Sequence, residues 1–178
     1  NALYCGRLHP AKGIMDLVDF MSFMVKEKPD FKMGILGDGD AETKNKFLSK
    51  IQELGLQDNF VHFGFIEGKK KGDLLRNCGF YLSLSYDESF GHAILEALAC
   101  NKPVVAYDLP VYREVFGKYI VNGQLKLFKK KDYNSMINFI LKKENGRLKF
   151  NNQLKDYSWE TICRKELKNF YYEVKTCL

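Results

Sequence analysis

Nowhere in the 178 residues is there an apolar run long enough to cross a bilayer, and no charged-then-apolar leader opens the chain. The expectation is a cytoplasmic protein, with contact at the inner face of a membrane limited to peripheral attachment. Cysteine occurs five times, at Cys5, Cys78, Cys100, Cys163 and Cys177, an odd number with no Cys-x-x-Cys spacing. That pattern speaks against a disulfide framework or a zinc site and for thiols in a reducing compartment. Internal repeats, low-complexity segments and Pro/Gly-rich linkers are missing, and the length suits one domain with a real core. The lysine runs at 69–71, 129–131 and 142–143 carry no interleaved aromatics, so a nucleic-acid partner is not expected despite the net charge of +6. They read as solvated faces or as contacts to an anionic membrane.

What is present alternates between strand-like and helix-like stretches. Asn1–Cys5, Phe31–Leu36, Asn59–Ile66, Phe80–Leu84 and Lys102–Tyr107 are apolar and β-rich, with Tyr119–Val121 read as a short last strand. Between them, Ile14, Leu17, Val18, Met21, Met24 and Val25 keep a helical repeat, as do residues 41–54, with Asp40 placed to cap that helix. Residues 72–78 make a shorter helix, and Tyr133, Met136, Ile137, Ile140 and Leu141 mark another. Such alternation predicts a Rossmann-like, doubly wound parallel sheet of about six strands in three α/β/α layers. The first loop reads Gly6-Arg7-Leu8-His9-Pro10-Ala11-Lys12-Gly13 and carries no Gly-x-Gly-x-x-Gly, which argues against half of a dinucleotide-binding dehydrogenase.

The chain is organised around residues 85–99, Ser-Tyr-Asp-Glu-Ser-Phe-Gly-His-Ala-Ile-Leu-Glu-Ala-Leu-Ala. A strand leads in, Gly91 lets a ligand approach the backbone, and a helix begins there with unpaired N–H groups and the positive end of its dipole. A diphosphate would be held at that start. Glu96 lies about one turn into the helix and leans back toward it, where a carboxylate suits two ribose hydroxyls. Glu88 sits in the loop, on the side where a sugar would lie. The first loop falls at the carboxyl end of a strand, so Arg7 and Lys12 converge on the same place.

Two glutamates separated by seven residues, the first followed by Ser-Phe-Gly and the second leading into Lys-Pro-Val-Val-Ala, closely resemble the signature of family 4 retaining glycosyltransferases of GT-B fold, the glycosyl transferases group 1. The resemblance implies that 1–178 is the C-terminal, nucleotide-sugar-binding half of a two-domain enzyme. It further implies that an N-terminal acceptor half is absent and that a final helix, 158–175, packs on that half. Arg7 and Lys12 are then diphosphate contacts, with Arg7, Lys12 and Glu88 as catalytic candidates. The donor site comprises Gly6, Arg7, Lys12, Gly37, Ile66, Gly68, Glu88, Ser89, Phe90, Gly91, His92, Ala93 and Glu96. Ile66 and Gly68 are the base-pocket candidates, and the bare Gly68 favours UDP slightly over GDP. Glu114 is expected to buttress the cleft. No metal or other cofactor is required on this reading. Asp38 and Asp40 form an Asp-x-Asp that is read as turn and cap instead of a metal site. The implied reaction is retaining hexosyl transfer from a nucleoside-diphosphate sugar to a saccharide or lipid-linked acceptor in cell-surface glycan biosynthesis, with the isolated half inactive. A GT-B epimerase or phosphorylase, or a non-catalytic nucleotide-binding module, are the alternatives.

Overall fold

The computed structural model describes residues 1–144. Six parallel strands, β1 (Ala2–Cys5), β2 (Met33–Leu36), β3 (Phe60–Gly64), β4 (Phe80–Ser83), β5 (Val104–Tyr107) and β6 (Leu125–Phe128), form one sheet in the order β3-β2-β1-β4-β5-β6. β2, β4 and β5 are buried at every position, as a strand covered on both faces must be, whereas the edge strand β3 alternates between exposed and half-buried residues.

Among the described residues the α-helices are α1 (Ile14–Glu27), α2 (Ala41–Glu53), α3 (Gly68–Asn77), α4 (His92–Ala99), α5 (Pro110–Val121) and α6 (Tyr133–Glu144). Side chains of α1, α2 and α6 pack with Tyr4, Ile35, Leu82 and Tyr107 on one face of the sheet. On the other face α3, α4 and α5 pack with Leu3, Tyr81, Val104 and Ala106. Alternate residues of each strand thus feed two separate cores, giving the three layers that the alternation of elements predicts.

Topology places the site. From β1 the chain winds outward through β2 to β3, then crosses back to β4 and winds the other way, so strand order reverses between β1 and β4. Their register covers Ala2–Phe80 and Leu3–Tyr81, and the loops after them diverge into a crevice at the carboxyl ends, where open α/β sheets take ligands.

Two element assignments from the sequence need correction. Tyr119–Val121 is not a strand; it is the last turn of α5, and the sixth strand is Leu125–Phe128. Tyr112, Phe116 and Tyr119 recur at helical spacing on the buried face, and that burial outweighs the β preference of Ile120 and Val121. The short helix expected over 72–78 begins earlier, at Gly68, as α3. The final helix, with Ser158, Trp159, Phe170 and Tyr171, lies outside the described residues.

Candidate functional site

Two loops and one helix start build the crevice. The loop after β1 is held by its own backbone and by Tyr4, whose hydroxyl donates to the Arg7 carbonyl at 2.8 Å. His9 caps the 3-10 turn Pro10–Lys12 by accepting the Ala11 N–H at 3.2 Å, which turns Lys12 toward the loop after β4. There the Tyr86 N–H donates to the Ala11 carbonyl at 2.8 Å, and the Lys12 ammonium meets the Glu88 carboxylate at 2.7 Å. Ser85 donates to the same Glu88 oxygen at 3.0 Å.

The loop after β4 ends at Gly91, the N-cap of α4, with φ of 95°. A Cβ added there would stand 2.9 Å from the Tyr112 ring and 3.1 Å from the Phe116 ring. Both the left-handed backbone and the close approach require glycine. The first intrahelical bond is Leu95 N–H to the Gly91 carbonyl, so the amides of the first turn of α4 face the crevice without a helical partner.

Two adjoining hollows result. The larger, about 520 Å³, runs from Gly6 and Arg7 past Gly37 and Asp38 to Phe65, Ile66, Lys71 and Glu96. A smaller one of about 170 Å³ lies over Tyr4, Tyr81, Ser83 and Tyr112 and is walled by Lys12, Glu88 and Gly91. Cys5, Gly6, His92 and Ala93 line both, so Arg7, Lys12, Glu88 and Glu96 share one continuous cleft. Its floor is made of hydroxyls. Tyr81 donates to the Cys5 carbonyl at 3.0 Å, and Tyr112 lies 3.2 Å from Ser83 Oγ, burial pushing the Tyr112 phenol up to about 12.

Glu96 lines the larger hollow together with His92 and Ala93 of the first turn of α4. Both of its oxygens are on Lys71 of α3, at 2.7 and 2.6 Å. Lys71 belongs to a lysine run that reads in sequence as a solvated face; Lys69 and Lys70 are exposed, but Lys71 is turned into the cleft. Although burial works to lower it, the hydrogen bond it donates to Glu96 and the negative charge beside it hold the Lys71 ammonium above its ordinary value. Phe65, 76 % exposed, and Ile66 form the apolar end of the larger hollow. The turn at Gly37 faces it, with the Gly37 carbonyl 2.9 Å from His62 Nε2.

Four sequence candidates stand elsewhere. Ser89 is exposed and Phe90 stacks edge-on against Phe116, with ring centroids 5.9 Å apart; neither lines a hollow, and Phe90 anchors the loop instead. Gly68 starts α3 and lines neither hollow, although its neighbours Ile66 and Glu67 line the larger one. Glu114 is exposed on α5 and lines neither hollow, because Tyr112 and Phe116 take the inward face of that helix. Asp38 and Asp40 are turned to different partners. Asp40 caps α2 by accepting the Thr43 N–H at 2.8 Å, while the Gly39 N–H and Lys44 hold Asp38 below the usual carboxylate range. Among the described residues no group of three or more His, Cys, Asp or Glu could hold a metal ion.

A doubly wound parallel sheet with two cations, a helix start and two carboxylates at its switch point has the Rossmann-like architecture of GT-B glycosyltransferases. Residues 1–158 match the family described as glycosyl transferases group 1, and the chain belongs to it. It is similar to an uncharacterized glycosyltransferase of Methanocaldococcus jannaschii, 32% identical over 108 residues, covering 58% of this chain and 27% of that protein. It is also similar to the phosphatidyl-myo-inositol mannosyltransferase of Mycobacterium leprae, 31% identical over 117 residues, 65% of this chain and 30% of the relative. Among solved structures, HepE of Anabaena in complex with UDP and glucose superposes with a TM-score of 0.69 at 26% identity, over 81% of this chain and 39% of that one. The matched stretches thus span less than a third of these two curated relatives.

Proposed function

We propose that this chain supplies the donor site of an enzyme that moves a hexosyl group from a nucleoside-diphosphate sugar to an acceptor hydroxyl with retention at the anomeric carbon. The observation that carries the reading is the convergence of Arg7, Lys12 and the first-turn amides of α4 on one cleft, with Glu96 at one end and Glu88 at the other. Negative charge develops on the diphosphate as the bond to the anomeric carbon breaks. Fixed donors aimed at that charge lower the barrier, and no metal is needed if Arg7, Lys12 and the amides supply them. The acceptor oxygen bonds to the same face of the carbon, and its proton passes to the departing phosphate oxygen. Glu96 holds the ribose and so the register of the donor. Glu88 is paired with Lys12 and orients sugar hydroxyls.

UDP is the favoured nucleotide, supported by the UDP that HepE binds. The base lies at the Phe65–Ile66 end, where an apolar side chain is exposed at the mouth of the larger hollow. The acceptor, a saccharide or lipid-linked chain of a cell-surface glycan, is met by an N-terminal half, so residues 1–178 alone bind donor weakly and transfer nothing. Peripheral attachment to an anionic membrane on the cytoplasmic side fits the lysine runs.

The test is product analysis on the full-length protein supplied with UDP-, GDP- and ADP-sugars, reading the anomeric configuration by NMR. A new glycosidic bond of retained configuration supports the reading. An inverted bond, an epimerised nucleotide sugar, a free sugar phosphate, or no binding of any donor overturns it.

A further inference from the structure

Resting on the donor-site reading above, we propose that Lys71 is the positioning residue for the ribose-binding carboxylate: it holds Glu96 in the one orientation in which it can accept both ribose hydroxyls. The pair crosses the cleft. Lys71 comes from the first turns of α3 and Glu96 from α4, 25 residues apart in sequence. The ammonium contacts Oε1 at 2.7 Å and Oε2 at 2.6 Å, so it fixes the plane of the carboxylate as well as its position. Cys5, at the end of β1, lines the same hollow as the pair.

Two-point contact inside the cleft separates this pair from an ordinary surface ion pair. The Lys71 side chain is 22% exposed and the Glu96 side chain 44%, so the cation is the better anchored partner. Without it Glu96 would be a long, half-exposed side chain that must lose its rotamer freedom each time a donor binds. A carboxylate has about four lone-pair sites, and two contacts to one ammonium leave room for two hydroxyls. The ribose then adds to a carboxylate already in place. A contact of this kind is made equally before and during bond breaking, so its loss raises the donor KM and leaves kcat nearly unchanged.

The experiment uses the full-length enzyme and calorimetric titration with the tightest-binding of UDP, GDP and ADP, together with the 2′-deoxy and 3′-deoxy forms of that nucleotide. Wild type is expected to prefer the ribonucleotide. Lys71→Met is expected to lose about tenfold in its affinity, the scale of one charge-assisted hydrogen bond, and most of the preference over the deoxy forms. Lys71→Arg should recover most of that preference, and the melting temperature of both variants should stay close to wild type. A Lys71→Met protein that keeps the full ribose preference overturns the proposal while leaving the donor site intact. A wild type that binds nucleotide without ribose preference overturns the roles of Glu96 and Lys71 together. A wild type that binds none of the three nucleotides overturns the donor reading itself.

Discussion

The Lys12 ammonium lies 2.7 Å from the Glu88 carboxylate, joining the loop after β1 to the loop after β4 across the mouth of the smaller hollow. The two side chains are 26% and 20% exposed, so the pair is sheltered but reachable by a ligand. On the donor-site proposal an incoming phosphate competes with Glu88 for Lys12. Glu88→Gln should therefore leave nucleoside-diphosphate affinity unchanged or tighter. Its kcat/KM for transfer should fall about tenfold to a hundredfold, the worth of a hydrogen bond to a charged group. Calorimetry with UDP and steady-state rates on the same full-length preparation separate the two effects, and weakened UDP binding would count against the pairing.

Gly91 is the narrowest point of the site. With φ at 95° and two aromatic rings within 3.1 Å of an added Cβ, Gly91→Ala meets strain and overlap at once. The expected cost is about 1–3 kcal/mol of stability, seen as a lowered melting temperature. Loss of donor affinity should accompany it, since the α4 amides move with the cap. An alanine variant that melts and binds as wild type does would show that the loop can repack without its glycine.

Behind the loop, Asp16 of α1 is a buried carboxylate that accepts the Tyr86 and Tyr107 hydroxyls, each at 2.6 Å. Burial, with Asp16 adding to it, drives both phenols far above their ordinary value. Tyr86 precedes Glu88 by two residues, so this contact sets the base of the loop after β4. Tyr107→Phe, by leaving a buried charge with one partner fewer, should cost about 1–3 kcal/mol by chemical denaturation. Tyr86→Phe should cost less stability and instead lower turnover. Equal denaturation midpoints for wild type and Tyr107→Phe would remove Asp16 from this account.

Cys5 lines both hollows, and burial pushes its thiol above the ordinary value while Lys71 pulls it partly back. The thiolate is the reactive form, so at pH 7 less of it is present than in a free cysteine. Iodoacetamide should modify Cys5 slowly at pH 7 and progressively faster as the pH rises toward the alkaline range. A bound nucleoside diphosphate should block the reaction. Peptide mapping by mass spectrometry follows this one thiol, and fast labelling at pH 7 that ignores nucleotide would place Cys5 outside the cleft.

Much of this site is legible in sequence because its parts are local. Gly91, Glu96 and the helix between them lie within one turn and its cap, and the spacing of Glu88 to Glu96 is preserved wherever the loop goes. Arg7 and Lys12 are legible because a loop at the carboxyl end of a strand has few places to face. Lys71 was missed for the opposite reason. It sits in a run of three lysines, and which of the three turns inward depends on where α3 starts and how it packs on α4, a relationship across 25 residues that no local pattern encodes. The same holds for Phe65, whose exposure at the cleft mouth follows from the edge position of β3. The misplaced last strand shows local β preference at Ile120 and Val121 losing to the burial of Tyr112, Phe116 and Tyr119 on one helix face. Glu114 stands exposed on α5, and a position beside a cleft does not say which way its helix is rotated.

The central claim is that Arg7 and Lys12 face the same pair of phosphates. Titration of UDP, GDP and ADP sugars into the full-length protein and its Arg7→Ala, Lys12→Ala double variant addresses it most directly. Each cation contributes about 1.5–3 kcal/mol of phosphate contact, so the double variant should bind its preferred donor at least about a hundredfold more weakly, with its fold intact by circular dichroism. Equal donor affinity in the two proteins would contradict the account.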